Sequence, residues 1–339
     1  MDFGVQLMTH GIMTRDRDGD AYIEKIAAAE MRPVETAVLA EQLGFHSVWL
    51  SDHVVTERVT EGSPHVANST GKRAYPDRPN MLDVPVTLGA IASRTSTLRM
   101  SPSVWIAPYR HPLVAAHMFA TLDVLSQGRV IIAYGAGWER GEFEALGRRL
   151  EDRGPLTDET IEVMIKAWTQ DWIDHSGRFY EIHDVSMDPK PVQSPHPPLW
   201  YGGVTPVGAR RAGRTCECLY PMFLDANVEP SLWDHLRDEF VREAEKCGRD
   251  SSQLQLGCFA TVRLTNGTEP HSWPKRPCLT GTPEQVLEDL QRFAEHGYKH
   301  VTCHFDVPSV SPAEWEEQLQ QWGEEILPIA RTFVPRPLA

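Results

Sequence analysis

Short apolar runs rich in β-branched residues recur along the chain, and each is followed by a longer stretch whose apolar positions repeat at helical spacing. Eight runs read as strands, at residues 3–8, 46–50, 98–106, 129–135, 198–201, 216–220, 254–263 and 300–305, with ends placed to within about 2–4 residues. Helical patterns lie near 33–43, 84–93, 112–126, 155–170, 204–213, 231–247, 283–296 and 311–326. Strand and helix in strict alternation is the pattern of βαβ units around a parallel sheet, and eight such pairs predict one α/β domain over residues 1–339, a (β/α)8 TIM barrel. Pro33, Pro85, Pro112 and Pro283 each fall where a first helical turn begins, a place that tolerates a missing backbone N–H. Two stretches break the rhythm and read as insertions: 51–82, rich in Pro, Gly, Asn and charge, and 171–197, which carries Pro189, Pro191, Pro195 and Pro197 and runs into Pro198. The first follows strand two, which places it at the C-terminal mouth of a barrel as a lid or pocket wall.

Composition narrows the function classes. The formal charge of -14, from 47 acidic and 33 basic residues, disfavours a nucleic-acid or anionic-membrane surface and leaves a small-molecule substrate as the expectation. Six cysteines, scattered from Cys216 to Cys303, read as reduced thiols. The N-terminal run Met1 to Leu7 lacks the basic start and apolar core of a signal peptide, and no window approaches the roughly 20 apolar residues that cross a bilayer. A cytoplasmic protein without a membrane partner is the expectation.

The densest chemistry lies between residues 121 and 147. Thr121-Leu122-Asp123-Val124-Leu125-Ser126-Gln127-Gly128-Arg129 reads as a helix closed by a left-handed cap at Gly128. Strand four follows, then Gly135-Ala136-Gly137-Trp138-Glu139, a glycine turn where backbone can approach a ligand, and then Glu142-Phe143-Glu144-Ala145-Leu146-Gly147. Gly135, Gly137 and Gly141 are spaced one residue too widely for a dinucleotide fingerprint. Gly202-Gly203 ends strand five and precedes Val204 and a helix bearing Arg210, Arg211 and Arg214. Free N–H groups at such a helix start make a phosphate seat, although an ordinary βα turn has the same composition. Arg211 and Arg214 stand as possible partners for an anionic group, with at least one of them read as simply solvated. His53 lies just past strand two, where a barrel places catalytic groups, and Asp52 stands beside it either to orient the ring or to cap the loop. His300, Thr302 and His304 share one face of strand eight without an acidic partner, and Cys216-x-Cys218 has no second pair, so no metal site is expected.

Taken together these segments resemble the luciferase-like monooxygenase family, and within it the deazaflavin (coenzyme F420)-dependent branch. The resemblance rests on Gly44-Phe45-His46-Ser47-Val48-Trp49 with Ser51-Asp52-His53, on Tyr109-Arg110-His111-Pro112, on the block described above, on Pro189-Lys190-Pro191, on Pro198-Leu199-Trp200-Tyr201-Gly202-Gly203 and on Gly281-Thr282-Pro283-Glu284. It implies a barrel whose mouth holds coenzyme F420 or, as the alternative, FMN. The cofactor phosphate would lie on Gly202, Gly203 and Val204, and the ring against Ser103, Val104, Gly135, Gly137 and Trp138. In relatives a non-proline cis peptide supports the ring, and Ser103-Val104 is its counterpart. His53 would be the acid/base, with Asp52 beside it, and His111 a further residue near the cofactor unless it caps the next helix. Hydride transfer between reduced F420 and a small, apolar or conjugated organic substrate is the implied reaction, and a homodimer the implied assembly. FMNH2-dependent monooxygenation, fed by a separate flavin reductase, is the alternative. Two departures stand out: Trp138 where some members carry glutamate, which argues against a sugar-phosphate substrate, and Glu217-Cys218-Leu219 where many carry Asp-Gly-Trp. A metal- or carboxylate-dependent barrel hydrolase and a non-catalytic flavin-binding protein are the competing classes.

Overall fold

The computed structural model describes residues 1–15, 21–58, 78–223, 229–267 and 276–338. Its eight barrel strands are β1 Asp2–Gln6, β2 Ser47–Leu50, β3 Arg99–Pro102, β4 Ile132–Gly135, β5 Leu199–Tyr201, β6 Cys218–Leu219, β7 Gln255–Leu264 and β8 Tyr298–Phe305. The helices, in chain order, are α1 Pro33–Leu43, α2 Val84–Ala92, α3 Pro112–Ser126, α4 Arg140–Ala145, α5 Arg153–Thr169, α6 Pro206–Thr215, α7 Asp234–Lys246, α8 Pro283–Glu295 and α9 Pro312–Gln321. All neighbouring strands pair in parallel, in the order β3-β2-β1-β8-β7-β6-β5-β4. The ring closes between β3 and β4, where Met100 N donates to Arg129 O at 3.1 Å and Ile131 N to Met100 O at 2.9 Å. The barrel expected from the sequence is therefore the fold observed.

Local chemistry explains the joints. Pro33, Pro112 and Pro283 occupy the first position of their helices and Pro85 the second. Thr282 and Gln285 form a reciprocal capping box on α8, and α3 ends on two left-handed residues, Gln127 and Gly128. Three features differ from expectation. The run 98–106 is not one strand, because a cis peptide at Ser103–Val104 interrupts it before Trp105–Ile106 rejoins the sheet beside Tyr134 and Gly135. An antiparallel hairpin, Ile12–Arg15 with Ala21–Glu24, follows β1. A second, Ile173–Ser176 with Glu181–Val185, fills the 171–197 insertion, and its turn is gripped by the Glu159 carboxylate, which accepts the N–H groups of Arg178, Phe179 and Tyr180. Most of the 51–82 insertion, residues 59–77, lies outside the described residues.

The barrel interior is packed. Trp49 stacks on Tyr220 with ring centres 4.8 Å apart and touches Trp200 and His300, all four side chains being buried. Trp49 Nε1 donates to Ser47 Oγ at 2.8 Å, and the indole lies so close to Gly4 that a Cβ there would overlap it. This aromatic plug confines any site to the C-terminal mouth. Among the described residues no helix is long and apolar enough to cross a membrane.

Candidate active site

The loop after β2 brings two charged side chains of the Ser-Asp-His segment to different partners. Asp52, buried, receives both guanidinium nitrogens of Arg110 at 2.8 Å and the Ile106 N–H at 3.0 Å. It ties the loop to the segment following β3. His53 instead meets Glu142 of α4, with Nδ1 2.7 Å from Oε2, while Glu139 Oε2 lies 3.7 Å from the same nitrogen. Trp138 turns its ring edge-on to the imidazole, 6.1 Å between centres.

Glu142 is the hub of this cluster. Its Oε2 also accepts the Tyr109 hydroxyl at 2.7 Å, and Oε1 accepts the N–H groups of Val54 at 2.6 Å and Val55 at 3.2 Å. Glu139 accepts the Glu57 N–H at 2.8 Å, and Glu57 in turn accepts the Gly141 N–H at 2.8 Å. The short helix α4, charged and without an apolar stripe, is thus held by its acids to the loop after β2.

Burial alone would lower the basicity of His53, but the hydrogen bond and charge of Glu142, reinforced by Glu139 and Asp52, outweigh it and hold the ring above its usual range. Burial likewise tends to raise Glu142, yet His53, Tyr109 and the Val54 N–H hold it below the carboxylate range. Burial and the adjacent carboxylates raise Tyr109, which stays a hydrogen-bond donor. Both shifts favour the imidazolium–carboxylate form of the pair, in which the ring holds a proton it can give up at the mouth. Glu142, Glu139, Tyr109 and Arg110 stand in segments that carried the resemblance, but none of them was given a catalytic or positioning role from sequence. Two acids three residues apart beside a glycine turn at the end of a barrel strand were the signal that was there to be used.

Across the mouth, the residues expected to hold a cofactor come together at the ends of β3, β4 and β5. The Val104 side chain wedges between Gly135 and Gly202: a Cβ on Gly135 would fall 2.8 Å from Val104 Cγ2, and one on Gly202 would overlap Cγ1. Gly137 has a φ of 79°, and a Cβ there would meet Ile106 and Phe143 at 2.8 Å. Gly203 lies on the ring of Tyr201, 2.6 Å from where its Cβ would be, and Gly208 does the same at 2.7 Å. Beyond Val204, Thr205 caps α6 by accepting the Gly208 N–H at 3.1 Å. The α6 arginines do not reach toward this turn as phosphate partners. Arg211 pairs with Asp158 at 2.6 Å and donates to the Tyr201 hydroxyl, Arg214 faces Asp158 and Glu243, and Arg210 pairs with Glu239. His111 is a helix cap, its Nδ1 accepting the Leu113 N–H at 3.3 Å.

His300, Thr302 and His304 are buried inside the barrel, His300 Nε2 lying 3.1 Å from Thr302 Oγ1. Cys216 Sγ is 3.2 Å from the Tyr134 hydroxyl, and Cys218 is equally buried. One group of the described residues has metal-ligand spacing: single atoms of His53, Glu139 and Glu142 all lie within 4.8 Å of one another. Both oxygens of Glu142 already accept hydrogen bonds there, which favours an ion-paired histidine over a metal centre.

Comparison with known proteins bears on the family and the fold. Residues 1–270 match the family model described as luciferase-like monooxygenase. An F420-dependent glucose-6-phosphate dehydrogenase of Amycolatopsis mediterranei (strain U-32) is 32% identical over 351 residues, covering 91% of this chain and 98% of the relative. An FMNH(2)-dependent dimethylsulfone monooxygenase of Pseudomonas putida is 31% identical over 286 residues, covering 71% of this chain and 77% of the relative. Among solved structures, an F420-dependent secondary alcohol dehydrogenase in complex with an F420-acetone adduct superimposes with a TM-score of 0.73 at 20% identity, over 97% of this chain and 99% of that one.

Proposed function

Because the chain belongs to the luciferase-like monooxygenase family, we propose that it is an oxidoreductase that exchanges hydride between coenzyme F420 and a small organic substrate at the barrel mouth. The observation that carries this reading is the His53–Glu142 pair at 2.7 Å, which favours a proton on a partly buried imidazole. Reduction by hydride leaves a substrate atom that needs a proton, and His53 is placed to be its donor.

The β3–β5 ends fit a planar ring with a phosphate tail. Ser103, Val104, Gly135, Gly137 and Trp138 would flank the ring, and Gly202, Gly203 and Val204, ahead of the capped start of α6, would hold the phosphate. The deazaflavin, when bound, supplies the hydride chemistry. The chain's own residues position and protonate: Asp52 and Arg110 brace the loop, Glu142 and Tyr109 aim His53 and keep it charged, and Glu139 adds negative charge behind it.

The similarity to the dimethylsulfone monooxygenase supports FMN as the second reading, with a separate flavin reductase as partner. Titration of the purified protein with F420 and with FMN, each oxidised and reduced, followed by Trp fluorescence, tests both. F420 is expected to bind more tightly. Binding of FMN alone turns the reading to monooxygenation, and binding of neither removes it.

A further inference from the structure

The floor of the mouth has two halves of different chemistry. The β3–β5 half is small and glycine-rich, as described above. The other half is made by β7, β8 and β1, which are neighbours in the barrel. Phe259 of β7 and His300 of β8 point into the interior, Phe259 packing in the cluster of Trp49, Trp200 and Tyr220 and His300 against Trp49 and Trp200. Alternation along a strand then turns Thr261, Thr302 and His304 inward as well. Gly4 faces the Trp49 indole, so Gln6, two residues on, also faces inward. Thr261 is paired in register with His304, and continuing the ladder that pairs Val5 with Cys303 sets Gln6 beside His304. Gln6, His304 and Thr261 therefore form one layer across three adjacent strands at the mouth end, and His10, after β1, sets its ring 5.8 Å from His304.

These four side chains are 0% (Gln6), 3% (His10), 6% (Thr261) and 2% (His304) exposed. Gln6 Oε1, His10 Nδ1, Thr261 Oγ1 and His304 Nδ1 have no hydrogen-bond partner. Buried polar atoms in native interiors are nearly always partnered, so four in one place point to a ligand group that completes them. The layer carries no positive charge of its own: burial, with a small contribution from nearby His53, brings His10 down to about 4, and burial with His10 lowers His304 well below its ordinary value.

We propose that Gln6, His10, Thr261 and His304 are the substrate-recognition wall and that they take an uncharged hydroxyl or carbonyl group. An alcohol can donate to Gln6 Oε1 while accepting from Thr261 or an imidazole, and the matching ketone keeps the accepting half of that set. A phosphate placed in this layer would be stripped of water among neutral groups. Arg263, two residues past Thr261 on β7 and partly exposed, lies beyond the layer at the rim. The inference rests on the opposite half being the cofactor seat.

The test is histidine-ring NMR of the 15N-labelled full chain, titrated with cyclohexanol, cyclohexanone and cyclohexyl phosphate. The two uncharged probes are expected to shift the His10 and His304 rings saturably and the phosphate ester to leave them unmoved. Thr261→Val and His304→Leu should each raise the dissociation constant of cyclohexanol about tenfold, which is about 1.4 kcal/mol. Arg263→Gln should leave it unchanged. Ring shifts from cyclohexyl phosphate alone, no shift from any probe, or unaltered affinity in both folded wall variants would overturn the proposal. Cofactor affinity, read separately by Trp fluorescence, tells its failure from that of the parent reading: alcohol binding without cofactor binding sinks the latter and leaves the wall standing.

Discussion

Replacing Glu142 with glutamine isolates the charge in the His53 pair. The amide oxygen can still accept the Val54 and Val55 N–H groups, while the amide nitrogen faces His53 and Tyr109 in place of the oxygen that binds both. The imidazolium then loses its hydrogen bond and most of its compensating charge but keeps the burial that disfavours it. A hydrogen bond to a charged group is worth about 1.5–3 kcal/mol, so its loss lowers the ratio of charged to neutral ring about 10- to 150-fold at any given pH. The assay is the pH profile of kcat/KM for substrate reduction. In the wild type, activity should hold as pH rises past 6.5, the ordinary histidine value, and fall only through the raised value. In Glu142→Gln that alkaline fall should begin at lower pH, while cofactor affinity and melting temperature establish that the fold persists. Superimposable profiles for the two proteins would refute the reasoning, because the carboxylate would then not set the ring's charge.

The same pair has a stability consequence with a definite sign. His53 is raised, so its contribution is complete below 6.5 and lost as pH rises through its folded value. Glu142 is lowered, so its contribution is complete above 4.5 and lost in acid. The stability difference between wild type and Glu142→Gln in urea should therefore be largest between those two pH values, and a pH-independent difference would count against the ion pair. Asp52→Asn breaks the buried pair with Arg110 and should cost about 3–5 kcal/mol of unfolding free energy, whereas a loss under about 1 kcal/mol would class the pair with exposed ones. Gly135→Ala should cost about 1–3 kcal/mol by overpacking against Val104 and weaken cofactor binding. Val104→Ala in the same chain should restore most of the stability, and an additive double variant would show that the two side chains do not compete for space. Light scattering across a wide concentration range should give twice the 38.2 kDa mass of one chain, a homodimer being part of the proposed reading, and a constant monomer mass removes it.

Periodicity carried most of the fold because most barrel strands are short apolar runs and most of the helices open on a proline in their first turn, so local signals and tertiary packing agree. It failed where backbone geometry departs from regular structure. A cis bond at Ser103–Val104 is invisible to residue pattern and splits an apparently continuous strand. Helix α4, six residues of which half are charged, has no apolar stripe to reveal it. The His53 partner was missed for the same reason: Glu142 is 89 residues away along the chain, and only barrel closure brings the end of β4 beside the loop after β2. Asp52, adjacent in sequence, stood as orienter or loop cap, but a neighbour in the chain need not share a neighbour's direction. The glycines were legible as a pattern but not as a cause, since the Val104 wedge that requires Gly135 and Gly202 comes from the segment just after β3.

The aromatic plug of Trp49, Trp200, Tyr220 and His300 also dictates traffic. With the barrel closed from below, two ligands that meet at its mouth share a single entrance, and the one lying deeper must arrive first and depart last. Double-reciprocal kinetics should accordingly follow a compulsory order of addition, with product release from the outer position preceding release from the inner one.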